Sequence, residues 1–191
     1  GGIMFALGIT AAVGVAALIS ALSSGMTGGT KKALLLLATS VCFGAVGFID
    51  DFIKVVKKRN LGLRALPKFL LQMLFAAVYL LVLELLGELK CEINVPFTSF
   101  VINMPVWIYV IFALVVVTGT VNAVNLTDGL DGLASSVTAV VALFFALCGF
   151  AKGDEGVFTF GVAVVGGLLG FLIYNKYPAK VFMGDTGSLF L

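Results

Sequence analysis

Carboxylates and amides cluster in three short segments of the chain, each of which also contains glycine. In chain order these segments hold the adjacent acids Asp50 and Asp51, then Asn122, Asn125, Asp128 and Asp131 in NAVNLTDGLDG, and then Asp185 in MGDTGS. Ionised groups beside apolar runs are costly unless they have partners such as a cation or a polar ligand. Mg²⁺ is usually held by one or two carboxylates together with phosphate oxygens of a substrate. The residue types therefore predict metal-assisted chemistry on a phosphorylated compound.

A basic segment follows the first acidic segment. Its members are Lys54, Lys57, Lys58, Arg59, Arg64 and Lys68. Lysines here would neutralise phosphate charge, while a metal stabilises the charge that grows on a leaving group. Glycines beside the acids let backbone approach a bulky anion closely. The sequence has no Walker or dinucleotide fingerprint, which argues against a nucleotide-hydrolysing domain.

Each segment also has a simpler interpretation. If Asp128 caps and opens the next helix, Asp128 and Asp131 lie on one face, and taken alone this segment favours a helix N-cap and a glycine turn. Asp185 could likewise cap the last helix, and the basic run could anchor the protein to anionic lipid. Glu84 is expected to lie near the opposite membrane surface. The chemical interpretation gains weight only if the three segments meet.

The apolar runs predict an all-α polytopic membrane protein. Hydrophobic residues make up 61% of the 191 residues, well above the share in soluble domains. Runs of about twenty apolar residues have the length that a bilayer requires of a helix. They predict spans at 3–22, 33–53, 69–86, 105–121, 132–150 and 157–174, with a seventh starting at 186. We expect one membrane domain, 1–191, truncated at both ends, and no disulfide or zinc site from the three cysteines.

The segment 88–104 differs from the spans. Ile93, Val95 and Phe97 alternate with polar residues or proline, which is typical of a strand, and Thr98 and Ser99 could turn the chain back. A small β-hairpin on the outer membrane surface is predicted.

The number of membrane crossings predicts that the three acidic segments meet. They follow the second, fourth and sixth spans, so all five aspartates emerge on one face. That face also receives eight of the twelve basic residues, against four on the other. The excess of lysine and arginine places the acidic face in the cytoplasm.

Three stretches resemble a known family. GFIDDFIKVVKKRNLGLRALPKFLLQ (47–72), NAVNLTDGLDGLA (122–134) and PAKVFMGDTGSL (178–189) are similar to the polyprenyl-phosphate N-acetylhexosamine-1-phosphate transferase superfamily, and within it to the bacterial phospho-N-acetylmuramoyl-pentapeptide transferases. The resemblance implies a ten-helix enzyme of the bacterial plasma membrane. It would use Mg²⁺ to transfer phospho-N-acetylmuramoyl-pentapeptide from its UDP conjugate to undecaprenyl phosphate, giving lipid I and UMP for peptidoglycan synthesis.

The resemblance also implies roles for individual residues. Asp50, Asp51, Asp128 and Asp131 are the expected catalytic residues, and Asp185 is the expected metal ligand. The expected substrate-binding residues are Asn122, Asn125, Asn175, Phe182, Lys54, Lys58 and Lys68, with Asn175 and Phe182 in the uridine pocket and the lysines on phosphate. Whether transfer occurs in one step or through a covalent aspartyl phosphate stays open.

Two family features are missing from the sequence. Of the family's Pro-Thr-x-Gly-Gly segment only Gly1 and Gly2 are present, and its downstream histidine motif has no counterpart. Both differences are expected to reflect truncation.

Alternatives remain at this point. The chain could be another polyprenyl-phosphate N-acetylglucosamine-1-phosphate transferase, an ion-coupled transporter, or a structural subunit. Transporter sites tend to lie near the bilayer midplane, whereas these acids lie at span ends. Partners besides the two substrates are the lipid bilayer and, as an open option, a second copy in a homodimer; no nucleic acid is expected.

Overall fold

The computed structural model describes residues 1–58, 61–95, 98 and 100–191, and it is built from helices. In chain order the elements are α1 (Gly2–Ser23), α2 (Gly28–Val56), α3 (Ala65–Leu85), β1 (Glu92–Asn94), β2 (Val101–Asn103), α4 (Val106–Thr127), α5 (Leu133–Lys152), α6 (Glu155–Asn175) and α7 (Gly184–Phe190). Helices α1 to α6 are long and apolar enough to cross a membrane. The prediction of six transmembrane helices and the start of a seventh is confirmed.

The two short strands form the predicted hairpin. Strands β1 and β2 pair antiparallel, with Ile93 opposite Ile102. The backbone N–H of Thr98 donates to the Val95 carbonyl at 3.2 Å, which begins the turn. Of the residues predicted for this hairpin, Pro96, Phe97 and Ser99 lie outside the described residues.

Several helices continue beyond their apolar runs. Asp50 and Asp51 lie in the last two turns of α2, and Asn122 and Asn125 lie in the last two turns of α4. Asp128 is the C-cap of α4, and its N–H still donates to the Val124 carbonyl. The simpler interpretation, in which Asp128 caps and opens the next helix, is therefore wrong. Backbone hydrogen bonding carries α4 past the end of its apolar surface, and Gly132, with φ of 73°, separates it from α5.

Helix α7 packs closely on α2 because two glycines of α2 face it. A Cβ at Gly47 would collide with the backbone carbonyl of Asp185, and one at Gly44 would lie 3.2 Å from Cβ of Phe190. Behind α7, the ring of Phe5 in α1 packs against that of Phe171 in α6, with ring centroids 5.0 Å apart. This packing brings the first turn of α7 against the end of α2.

Charged side chains separate to the two ends of the bundle. At one end, Lys32 Nζ lies 3.0 Å from Glu88 Oε2 and 2.8 Å from Asp154 Oδ2. These contacts join the start of α2 to the segment that follows α3 and to the start of α6. The ends of α2 and α4 and the start of α7 meet at the opposite end. The crossing count thus predicts correctly which segments meet.

Candidate active site

Three carboxylates converge where α2 meets α7. Asp50 and Asp51 come from α2 and Asp185 from the first turn of α7, although 134 positions separate Asp51 from Asp185. One oxygen from each residue lies within 4.8 Å of the other two. Like charges this close repel, so they require cations between them.

Two lysines supply that positive charge. Lys54, one turn after Asp50, places Nζ 2.6 Å from Asp50 Oδ2 and 3.0 Å from Asp185 Oδ2. Lys68 of α3 places Nζ 2.9 Å from the same Asp185 oxygen. Three carboxylates and two ammonium groups leave this cluster with one net negative charge.

The loop before α3 covers Asp50 and binds its carboxylate. Its side chain is buried, and Oδ1 accepts a 2.8 Å hydrogen bond from the backbone N–H of Leu63. A Cβ at Gly62 would lie only 2.5 Å from Asp50 Oδ2, so the backbone reaches the carboxylate because no side chain intervenes. The loop thereby fixes the orientation of Asp50.

Asp51 fixes the start of α7. Its Oδ2 accepts hydrogen bonds from the Thr186 N–H at 2.9 Å and from the Thr186 hydroxyl at 2.7 Å. The free N–H groups of a helix start favour a carboxylate. Asp51 thus acts as a cap supplied from another helix, and it holds Asp185 in place.

Asn125 of α4 completes the contacts of Asp185. Its Nδ2 lies 3.1 Å from Asp185 Oδ1 and 2.7 Å from the Ser188 hydroxyl. Burial alone would raise the pKa of Asp185, but the hydrogen bonds that it accepts from Lys68, Lys54 and Asn125 outweigh burial and hold that pKa well below its usual range. Asp185 is therefore a permanent anion at neutral pH.

Asp128 lies at the edge of the cluster, in the loop after α4. Burial, and then the negative charges of Asp185 and Asp51, raise the pKa of Asp128 to about 6. Its carboxylate has no hydrogen-bond partner within residues 1–58, 61–95, 98 and 100–191. Asp128 is therefore half-protonated near pH 6.

The other residues predicted for the site lie around this cluster rather than in it. Asp131 Oδ2 accepts the N–H of Ala179 at 2.8 Å. Asn175 is buried and uses both ends of its amide, accepting from the Ser135 hydroxyl at 2.7 Å and donating to the Val181 carbonyl at 3.0 Å. Both residues brace the loop at 176–183.

That loop presents Phe182. Phe182 is 62% exposed and borders a cavity of about 330 Å³ that Asp51 and Lys54 also line. Lys58 follows α2 with φ of 47° and is exposed. Asn122 faces α3 and pairs with Gln72 instead of reaching the carboxylates.

Sequence reasoning missed four contributors. They are Gly62, Gln72, Thr186 and Ser188. Gln72, as a lone amide within an apolar run, carried a usable signal, and the other three lie inside the matched motifs without a distinctive pattern.

The donor set fits a hard divalent cation. All three groups offer carboxylate oxygens, which Mg²⁺ prefers, and Mg²⁺ with ligands at about 2.1 Å needs any two of them no more than about 4.2 Å apart. The separation of up to 4.8 Å requires only a small side-chain adjustment. Asp50, Asp51 and Asp185 could therefore hold a metal ion.

Fold and site together define a polytopic membrane protein with a carboxylate–lysine centre suited to phosphate chemistry. Residues 33–191 match the glycosyl transferase family 4, and the chain belongs to that family.

Its relatives include phospho-N-acetylmuramoyl-pentapeptide-transferases. The chain is 47% identical to the one from Desulforamulus reducens over 192 residues, covering 100% of this chain and 56% of the relative. It is 46% identical to that of Carboxydothermus hydrogenoformans over 167 residues (84% and 51%) and 48% identical to that of Listeria monocytogenes over 157 residues (82% and 48%). The chain thus spans about half the length of the curated relatives it matches.

Proposed function

We propose that the protein is a Mg²⁺-dependent phosphoglycosyl transferase that moves phospho-N-acetylmuramoyl-pentapeptide from its UDP conjugate to undecaprenyl phosphate, forming lipid I and UMP. The reaction would occur at the cytoplasmic face of the bacterial plasma membrane. The carrying observation is the convergence of Asp50, Asp51 and Asp185 with Lys54 and Lys68 at one end of the bundle. The names of the relatives support the choice of substrates.

The proposed transfer is a displacement at phosphorus. An oxygen of the lipid phosphate attacks the sugar-linked phosphorus, the bond from that phosphorus to the bridging oxygen breaks, and UMP leaves with the bridging oxygen. Asp185, with Asp50 and Asp51 in reach, would hold Mg²⁺, which would neutralise the charge of the pyrophosphate.

The lysines and acids of the chain have separate tasks. Lys54 and Lys68 bind phosphate oxygens, because their ammonium groups already lie within 3.0 Å of the anions they would share with substrate. Asp50 or Asp51 orients the lipid phosphate. Little base catalysis is needed, since the second pKa of a phosphate monoester is about 6.

The loop at 176–183 would bind the nucleotide. Phe182 offers an exposed ring for stacking on uracil. Asn175 is buried and engaged with Ser135 and Val181, so its contribution to the pocket is to hold the loop that carries Phe182. Asp131 would do the same through Ala179.

The test is a transfer assay with the full-length protein in detergent or nanodiscs. Radiolabelled UDP-N-acetylmuramoyl-pentapeptide and undecaprenyl phosphate should give labelled lipid and UMP only with Mg²⁺. Asp185→Asn should lower the rate of transfer about 100- to 1,000-fold, whereas the matched control Asp154→Asn, at the opposite end of the bundle, should retain it.

Three outcomes would contradict the proposal. Transfer from UDP-N-acetylglucosamine in preference would assign the protein to another branch of the superfamily. Uptake into vesicles without transfer would indicate a transporter, and absence of both activities would remove the enzyme assignment.

Acid-quenched turnover with labelled donor also tests the covalent alternative, because a phosphorylated Asp128 would replace direct attack by two successive transfers.

A further inference from the structure

An amide pair joins α3 to α4 inside the apolar part of the bundle. Asn122 Nδ2 donates to Gln72 Oε1 at 2.7 Å, and Gln72 Nε2 lies 3.5 Å from Asn122 Oδ1. Asn122 Nδ2 also donates to the Thr118 carbonyl one turn earlier, at 2.8 Å. Gln72 has no solvent-exposed surface. Both amides are therefore directed at each other.

The pair lies one helical turn from the acidic cluster on both helices. Lys68 precedes Gln72 by four residues on α3, and Asn125 follows Asn122 by three on α4, so each couple shares a helix face. Lys68 and Asn125 both donate to Asp185, at 2.9 Å and 3.1 Å. The amide pair thus joins the two helices that bring these donors to Asp185.

Apolar contacts fix the alignment of such helices poorly. Leucine surfaces on neighbouring spans gain little by meeting each other rather than lipid. An amide in hydrocarbon is costly without a partner, and its hydrogen bonds are directional. One reciprocal amide contact therefore favours one axial alignment of α3 against α4.

We propose that Gln72 and Asn122 are positioning residues that set the register of α3 against α4 and so align Lys68 and Asn125 on Asp185. The inference rests on the proposed function for its activity readout. It assigns Asn122 to alignment and not to direct contact with a substrate, although Asn122 also borders a groove of about 800 Å³ between α3 and α4.

The test exchanges the two amides in the full-length protein. Gln72→Leu removes one partner, and we expect kcat to fall about 10- to 100-fold, since displacement of reacting groups by about 1 Å can cost 100-fold. Substrate KM can change as well, because Lys68 is itself proposed to bind phosphate, so the restoration of kcat by the exchanged pair is the decisive result. The double variant Gln72→Asn with Asn122→Gln keeps the combined length of the two side chains and should restore most of the lost kcat.

Controls separate alignment from general stability. Thr39→Val also removes a polar group from a membrane-spanning helix, but the Thr39 hydroxyl donates to Leu35 of its own helix. Thr39→Val should leave kcat unchanged. Thermal unfolding of every variant identifies those that fail to fold. If Gln72→Leu fails to fold, the single variant Gln72→Asn is used in its place.

Two kinetic results would overturn the proposal. A Gln72→Leu protein with wild-type kcat would show that the pair aligns nothing. Loss of activity that the exchanged double variant fails to restore would show that the two amides do not act through their contact with each other.

A distance measurement tests the register independently of turnover. Spin labels replace the exposed residues Leu74 of α3 and Val116 of α4, in a background without Cys42, Cys91 and Cys148. Gln72→Leu should broaden the distance distribution, and the exchanged pair should narrow it again. If Gln72→Leu leaves the distance distribution unchanged, the amide pair does not set the register of α3 against α4, whether or not the wild type shows transfer. Failure of this inference and failure of the proposed function are therefore distinguishable.

Discussion

A single methyl group added at Gly62 would collide with the carboxylate of Asp50. In Gly62→Ala the new Cβ would lie 2.5 Å from Oδ2 and 2.6 Å from both Cγ and Oδ1 of Asp50. Real Cβ contacts are not shorter than about 3.0 Å, and ordinary ones begin near 3.4 Å. The loop or the carboxylate must therefore move by 0.5 to 0.9 Å, the difference between these limits and 2.5 Å.

That displacement allows the effect on turnover to be estimated. Misplacement of a reacting group by about 1 Å can lower a rate by 100-fold, so we expect Gly62→Ala to lower kcat about 10- to 100-fold. This corresponds to about 1.4–2.7 kcal/mol in the activation barrier. The hydrogen bond from the Leu63 N–H to Asp50 should also weaken, because the loop moves as a unit.

The assay is steady-state transfer to polyprenyl phosphate by the full-length protein, with the Mg²⁺ concentration varied. Gly28→Ala is the matched control, because its Cβ would meet nothing closer than Glu88 Oε1 at 3.8 Å, at the opposite end of the bundle. Gly62→Ala with kcat within about twofold of wild type would refute the role given to the loop over Asp50.

Three further predictions follow from the charges at the two ends of the bundle. Asp185→Asn should leave the protein folded, raise the Mg²⁺ requirement and lower kcat about 100- to 1,000-fold, because one of three carboxylates is lost; full turnover at low Mg²⁺ would exclude a metal role. Since the pKa of Asp128 is raised to about 6, this acid gains a proton as the pH falls through 6. If its anion is required, kcat/KM should fall below that pH, and the pH–rate profile of Asp128→Asn should lack this limb; a persisting limb would assign it to another group. Lys32→Met should destabilise the protein without lowering kcat, since Glu88 and Asp154 lose a shared cation at the far end. These partly exposed pairs are worth up to about 1 kcal/mol each, or roughly 2–4 °C in Tm per kcal/mol; a lowered kcat with unchanged Tm would contradict this.

The meeting of the acidic segments could be predicted because it depends only on counting spans. The lengths of the apolar runs determine the number of crossings, and an even number separates Asp50 and Asp51 from Asp185. The hairpin was predictable for a similar reason, since alternation at Ile93 and Val95 is a local pattern. Neither inference needs the angles at which helices pack.

The remaining features depend on those angles and on where helices end. Asp128 was wrongly placed because an apolar pattern marks the end of a lipid-facing surface, whereas hydrogen bonds continued α4 to Thr127. The contact between Gln72 and Asn122 links positions 50 residues apart. To predict it, one must know how α3 is oriented about its own axis. The role of Asn175 in bracing the loop with Val181 requires the loop conformation itself.

The uncharged middle part of the 29-residue helix α2 determines the depth of the site relative to the lipid. The uncharged stretch between Lys32 and Asp50 is 17 residues long, or about 26 Å of helix, close to the hydrocarbon thickness of about 30 Å. Asp50 and the turn after it therefore stand at the level of the phospholipid headgroups. For the proposed reaction, a water-soluble nucleotide sugar can arrive from above and a lipid-anchored phosphate from the side, and neither has to leave its own phase.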